Sequence, residues 1–130
     1  MTDRRPDCVY GVLVREGRVF VRVMDGHFGL PGGVFRPMAE DRKVELKAHL
    51  WDQLGIEATS IWAQGAFEYR NPDEVREKFC GFYSVWEWTG DVPDEAGQWM
   101  SADELAMTAV PASLRILLFS VLQTQAVKTT

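Results

Sequence analysis

The segment Leu30-Pro31-Gly32-Gly33 constrains this chain more than any other. Proline fixes one backbone torsion and removes a donor, and the two glycines permit a positive φ or a close backbone approach. These four residues read as a loop that cannot be regular structure. They separate two segments of opposite periodicity. Upstream, Cys8–Val14 is an apolar run with the pattern of a buried strand, and Val19–Met24 alternates. Glu16-Gly17 between them is a turn signal, so the pair forms a hairpin that Asp25-Gly26 ends. Downstream, Glu40–Leu54 has helical period, with Leu46, Leu50 and Leu54 on one stripe flanked by Val44 and Trp51. Lys47 falls inside that arc, where its stem is expected to snorkel outward. Gly55 stops the helix.

The remainder alternates irregularly. Ile61–Tyr69 reads as a strand, Arg70–Glu77 as a polar loop turning at Asn71-Pro72-Asp73, and Phe79–Trp88 as an aromatic-rich strand. Trp99-Met100 is a short strand, Ser101–Glu104 is a capping box that opens a short helix, and Pro111–Leu122 is a last amphipathic helix. Such an order predicts an α/β chain with a mixed sheet between helices. There is no internal repeat or linker, so residues 1–130 read as a single domain with a structured core over about 8–122.

Composition narrows the function classes. With 46% hydrophobic and 25% charged residues the chain is not of the disordered class. No apolar run approaches the roughly 20 residues of a membrane helix, and the start lacks the apolar stretch of a secretory signal. A net charge of −5 without a basic block argues against a nucleic-acid partner. Cys8 and Cys80 form no disulfide framework and read as buried reduced thiols, the expectation for a cytoplasmic protein.

In order, then, come a hairpin, Leu30-Pro-Gly-Gly33, about twenty residues of loop and helix, Leu54-Gly55-Ile56-Glu57 and, much later, Trp99-Met-Ser-Ala-Asp-Glu-Leu105. This order resembles the Nudix (MutT-like) hydrolase family from about Val9 to Leu122. The resemblance implies an α/β/α sandwich with a mixed β-sheet. It also implies hydrolysis of a nucleoside diphosphate linked to another group, with magnesium or manganese.

The family's motif is a glycine, five residues, a glutamate, seven residues, then Arg-Glu, an apolar residue, any residue, Glu-Glu, any residue, glycine and an apolar residue. Counted back from Gly55, the arginine position holds Ala48, the first helical glutamate His49, and the paired glutamates Asp52 and Gln53. Glu40 takes the earlier glutamate position if the loop after Gly33 carries one extra residue. The frame is kept and most of the chemistry is not. Carboxylates three and four apart share a helix face, and hard divalent cations need such converging oxygens. Here that face carries Glu45, His49, Asp52 and Gln53, so any magnesium or manganese is expected to bind weakly.

The candidate residues follow. Glu40, Asp52 and Glu95 are the candidate catalytic acids, Glu95 lying four residues before Trp99 where family members often carry a glutamate. Glu40, Glu45, His49 and Asp52 are the candidate metal ligands. Gly32 and Gly33, through their backbone N–H groups, and Tyr69 and Arg70, at a strand end, are candidates for a nucleotide-type ligand. Each also has a plain structural reading: core-edge histidine, surface charge, first-turn helix charge, loop-edge pair. Trp62, Trp86, Trp88 and Trp99 read as sheet aromatics, of which one or two could stack on a base. Two function classes remain. One is a protein that binds or slowly hydrolyses a nucleoside-diphosphate-linked ligand at a degraded metal site. The other is a non-catalytic module for ligand sensing or protein interaction. The resemblance leaves a homodimer open.

Overall fold

The computed structural model describes residues 6–24, 26–36, 39–72 and 74–129. The opening residues and the turn residues Asp25 and Asp73 lie outside them. β1 (Cys8–Arg15) and β2 (Arg18–Met24) form the expected hairpin. Its two turn residues, Glu16 and Gly17, have φ of 51° and 76°, the left-handed pair that a two-residue hairpin loop requires. β3 (His27–Gly29) continues this meander along β2.

β4 (Gly32–Val34) corrects one expectation, since part of the Leu-Pro-Gly-Gly segment is regular structure. It pairs antiparallel with β1, Val9 opposite Gly33 and Tyr10 opposite Gly32. The glycines that read as loop signals are what admit the strand. Gly32 has a φ of 143°, and a Cβ there would collide with the Val9 carbonyl oxygen and lie 2.8 Å from Tyr10 Cα. Only glycine lets the chain approach β1 this closely.

α1 spans Arg42–Leu54, capped at its start by the Asp41 side chain and at its end by left-handed Gly55. Leu46, Leu50 and Leu54 are buried as expected. Val44 and Trp51 are not part of that stripe and are 59% and 62% exposed. β5 (Glu57–Tyr69) and β6 (Lys78–Thr89) form a long antiparallel ladder with a register irregularity around Gly65. β6 runs parallel to β1, placing Cys8 opposite Cys80 and Leu13 opposite Val85. After a short helical turn at Asp94–Ala96, β7 (Gly97–Met100) pairs with β2. α2 (Ala102–Ala106) carries the capping box of Ser101 and Glu104, and α3 (Ala112–Thr129) closes the chain.

The sheet order is β3-β2-β1-β6-β5, with β4 added on β1 and β7 on β2. β1 is buried on both faces. Cys8, Tyr10, Val12 and Val14 face a core with Leu114, Leu118 and Val121 of α3. Val9 and Leu13 face the other core, with Leu46, Leu50 and Leu54 of α1. Alternation along the strand therefore supplies both cores, and the result is the expected α/β/α sandwich with a mixed sheet. Both cysteines are free and buried. Among the described residues, no helix is long and apolar enough to cross a membrane.

Candidate functional site

The polar stripe of α1 faces the extended segment Gly32–Arg36, and three residues one turn apart grip every second residue of it. Gln53 takes Gly32 at both ends: its Oε1 accepts from the Gly32 N–H at 3.0 Å and its Nε2 donates to the Gly32 carbonyl at 2.7 Å. The Gln53 Oε1 also accepts from Arg22 at 3.1 Å. His49 Nε2 lies 2.9 Å from the Val34 carbonyl oxygen and therefore carries the proton. Glu45 accepts from the Arg36 side chain at 2.7 and 2.9 Å and from the Arg36 backbone N–H at 3.2 Å. Helix residues 53, 49 and 45 thus match segment residues 32, 34 and 36. The match is geometric: four helix residues advance about 6 Å, and two extended residues about 6.6 Å.

This ladder decides the state of the helical candidates. The Glu45 carboxylate is buried, and the Arg36 guanidinium holds its pKa below the ordinary carboxylate range, against the opposing effect of burial. His49 packs so closely on β4 that a Cβ on Gly33 would sit 2.9 Å from its Cε1. The Gly32 N–H, a candidate phosphate donor, is engaged by Gln53.

Glu40, Asp52 and Glu95 are solvent-exposed. β7 begins two residues after Glu95 with Gly97 opposite Arg22, so the chain returns Glu95 toward the end of β2 that Gln53 also reaches. Among the described residues, no group of three or more His, Cys, Asp or Glu is gathered so as to hold a metal ion. The three helical acid positions of the motif hold a proton-bearing imidazole nitrogen (His49), an amide (Gln53) and a single carboxylate (Asp52), and Glu45 beside them is already paired with Arg36. That set does not fit magnesium or manganese, which need several free oxygens.

Tyr69 and Arg70 part company although they are neighbours. Tyr69 is 4% exposed, stands edge-on to Tyr10 at 5.7 Å, and donates through its hydroxyl to Asn71 Oδ1 at 2.9 Å. Asn71, read only as a turn residue, is buried and also accepts from the Leu30 N–H at 3.1 Å, tying two loops together. Arg70 is exposed, donates to the Glu74 carbonyl at 3.1 Å, and lines a cleft of about 290 Å³ with His27, Phe28, Pro72, Ala109 and Pro111. Arg115 fixes one wall by donating to the carbonyls of Thr108 and Val110, both at 3.1 Å. Sequence reasoning found Arg70 but missed His27 and Phe28, because three-residue β3 is too short to leave a periodic signal. Of the tryptophans, Trp62 is 58% exposed on β5. Trp88 and Trp99 stack at 6.0 Å, and the Arg15 guanidinium lies 4.2 Å from the centre of the Trp99 ring.

No protein-family model matches the chain. No curated protein matches it either. Solved structures do. A MutT NUDIX hydrolase from Burkholderia pseudomallei is 18% identical, with a TM-score of 0.69 over 85% of this chain and 93% of that one. A mutator MutT protein from Bacillus halodurans is 18% identical, with a TM-score of 0.71 over 91% and 82% of the two chains. A MutT protein from Methanosarcina mazei Go1 is 20% identical, with a TM-score of 0.67 over 92% and 93%. At these identities the likeness is one of architecture, and it agrees with the sandwich and the mixed sheet: the chain has the Nudix fold of the MutT proteins.

Proposed function

We propose that this Nudix-fold chain binds a small nucleotide-type ligand and does not carry out metal-assisted diphosphate hydrolysis of the usual kind. One observation carries the reading: of the three helical positions where the resemblance would put metal-binding carboxylates, His49 and Gln53 are hydrogen-bonded to Val34 and Gly32 instead, which leaves Asp52 as the single acid there. The ligand site on this reading is the cleft between β3, the start of the β5–β6 loop and the α2–α3 connection. Phe28 offers a ring face to a base, and Arg70 and His27 offer donors to a phosphate. Glu40, Asp52 and Glu95 keep a role only if a metal-bound phosphate recruits them. The partner is then a small molecule in the cytoplasm, not a nucleic acid or a membrane, and the chain is a monomer or a homodimer.

The test pairs binding with turnover. AMP, ADP and ADP-ribose are titrated calorimetrically with and without magnesium and manganese, and nucleoside monophosphate release is followed in parallel. The expected result is metal-independent binding without release, weakened about tenfold or more by Arg70→Ala, since a hydrogen bond to a charged group contributes roughly 1.5–3 kcal/mol. Turnover at ordinary enzyme rates that Asp52→Asn or Glu95→Gln abolishes would overturn the reading.

A further inference from the structure

The chain holds two cysteines, and the fold brings them side by side. β1 and β6 run parallel, with Cys8 directly opposite Cys80. Both side chains enter the same core, where the next pair on that face, Tyr10 and Phe82, stacks at 6.0 Å. Neighbouring strands lie about 4.8 Å apart, inside the Cα separation of about 4.4–6.8 Å that a disulfide spans. The two thiols also meet directly, since Cys80 hydrogen-bonds the Cys8 sulfur.

The two members of the pair differ in ways that give them an order of reaction. Cys8 is the first residue of β1, and Val34, its partner on the other side, is the last residue of β4. This corner is made of strand ends, which open at lower cost than strand middles. Cys80 lies further into β6, between Cys8 and Phe67, with its Sγ 3.3 Å from the Lys78 carbonyl oxygen and 3.6 Å from that of Tyr69. The hydrogen bond from Cys80 holds the Cys8 pKa down at about 7, against the upward push of burial, and the same contact pushes the Cys80 thiol up. The thiolate is the reactive form of a cysteine, so Cys8 is the one that reacts first.

We propose that Cys8 and Cys80 are a redox-active dithiol that a peroxide closes to a reversible disulfide. When the end of β1 opens, the Cys8 thiolate attacks one peroxide oxygen. The O–O bond breaks, the departing oxygen leaves as water, and Cys8 becomes a sulfenic acid. The Cys80 sulfur then attacks the Cys8 sulfur, the S–O bond breaks, a second water leaves and the S–S bond forms. The two thiols together lose two electrons and two protons, and the peroxide is reduced to two waters. Cβ atoms directly opposite each other stand near the strand spacing of about 4.8 Å, beyond the mean of about 3.8 Å in a disulfide. The bridge therefore draws the strands together and is strained, which makes it easy to reduce. Where thiols are kept reduced, such a bond is transient and reports oxidant. This chemistry does not depend on the function assigned to the Arg70 cleft.

The whole chain is treated with hydrogen peroxide in native buffer, its free thiols are alkylated, and the mass and the cysteine-containing peptides are determined. The expected product has lost two hydrogens, takes up no alkylating agent, carries a Cys8–Cys80 linked peptide and returns to the dithiol in a glutathione buffer. In Cys80→Ala the Cys8 sulfenic acid should persist and be captured by dimedone. In Cys8→Ala the remaining thiol should oxidise about tenfold or more slowly than Cys8 does, because it stays protonated. Urea midpoints of both variants confirm that each is folded during the reaction. Two thiols still open to alkylation after peroxide, a disulfide that joins separate chains, a bridge that forms only in unfolding urea, or a Cys8 that dimedone never captures in folded Cys80→Ala would each overturn the proposal.

Discussion

Two sets of polar residues on and around α1 look alike in sequence and differ in structure. Glu45, His49 and Gln53 are bonded to β4 and the two residues that follow it, whereas Glu40 and Asp52 face solvent. The comparison teaches that a kept frame with altered residues need not be a damaged site. The inward stripe has become a clamp that fixes the glycine-rich segment onto the sandwich, while the acids that a metal would use are left dispersed.

The largest effect is expected at the clamp's target. Gly32→Ala forces a Cβ toward the Val9 carbonyl oxygen from a φ of 143° and should cost about 3 kcal/mol or more. Urea unfolding measures it, and a cost under about 1 kcal/mol would show that β4 can lift from β1. Rebuilding the motif as Ala48→Arg, His49→Glu and Gln53→Glu comes next. It points carboxylates at the Val34 and Gly32 carbonyls and removes their donors. The rebuilt protein should lose about 2–4 kcal/mol, counting each unsatisfied group at about 1–3 kcal/mol, and should gain no hydrolysis. A gain of turnover with an unchanged urea midpoint would show that this stripe can still hold a catalytic metal.

Single rungs should rank below this. Gln53→Ala strands both polar groups of Gly32 and should cost about 2 kcal/mol, and His49→Ala, which strands one carbonyl, about 1 kcal/mol. A reversed order would mean that His49, not Gln53, anchors the segment. The third rung is visible through pH. The Glu45 pKa is depressed in the folded chain, first by its hydrogen bonds from Arg36. Its contribution is therefore present above the unfolded-state value near 4.3 and is lost as the pH falls through the lower folded value. Between pH 6 and 3 the urea midpoint should fall less steeply for Glu45→Gln than for the unaltered chain; identical slopes would remove the rung. The smallest effects belong to the outward acids. Asp52→Asn and Glu40→Gln should stay within about 0.5 kcal/mol, and a clearly larger change would mean that solvent-facing acids also hold the fold.

Much of this was legible in the sequence. The leucine stripe of α1, the hairpin, the capping box at Ser101 and the left-handed stop at Gly55 are local, so residue identity and spacing determine them. Three things were not. The strand character of Gly32–Val34 depends on Val9, which lies more than twenty positions away and whose carbonyl excludes a side chain. The exposure of Val44 and Trp51 depends on which face of α1 packs on the sheet, and that face is the one carrying Leu46, Leu50 and Leu54. The candidate site depends on hydrogen bonds between α1 and a segment whose periodicity says nothing about it. Tyr69 and Arg70 show the limit most plainly, because strand alternation buries one and exposes the other while sequence gives them equal standing.

The parallel pairing of β1 with β6 also has a consequence for how the chain assembles. Cys8 lies opposite Cys80, so the middle of the sheet joins segments about seventy residues apart. During synthesis the β1–β2 hairpin is complete long before its parallel neighbour exists, and Tyr10 and Val12 cannot yet meet the leucines of α3. Closing so long a loop is entropically costly and slow. The emerging chain therefore shows an apolar strand with an open edge until β6 has been made. A polypeptide paused before Cys80 is the form in which this protein most needs a chaperone.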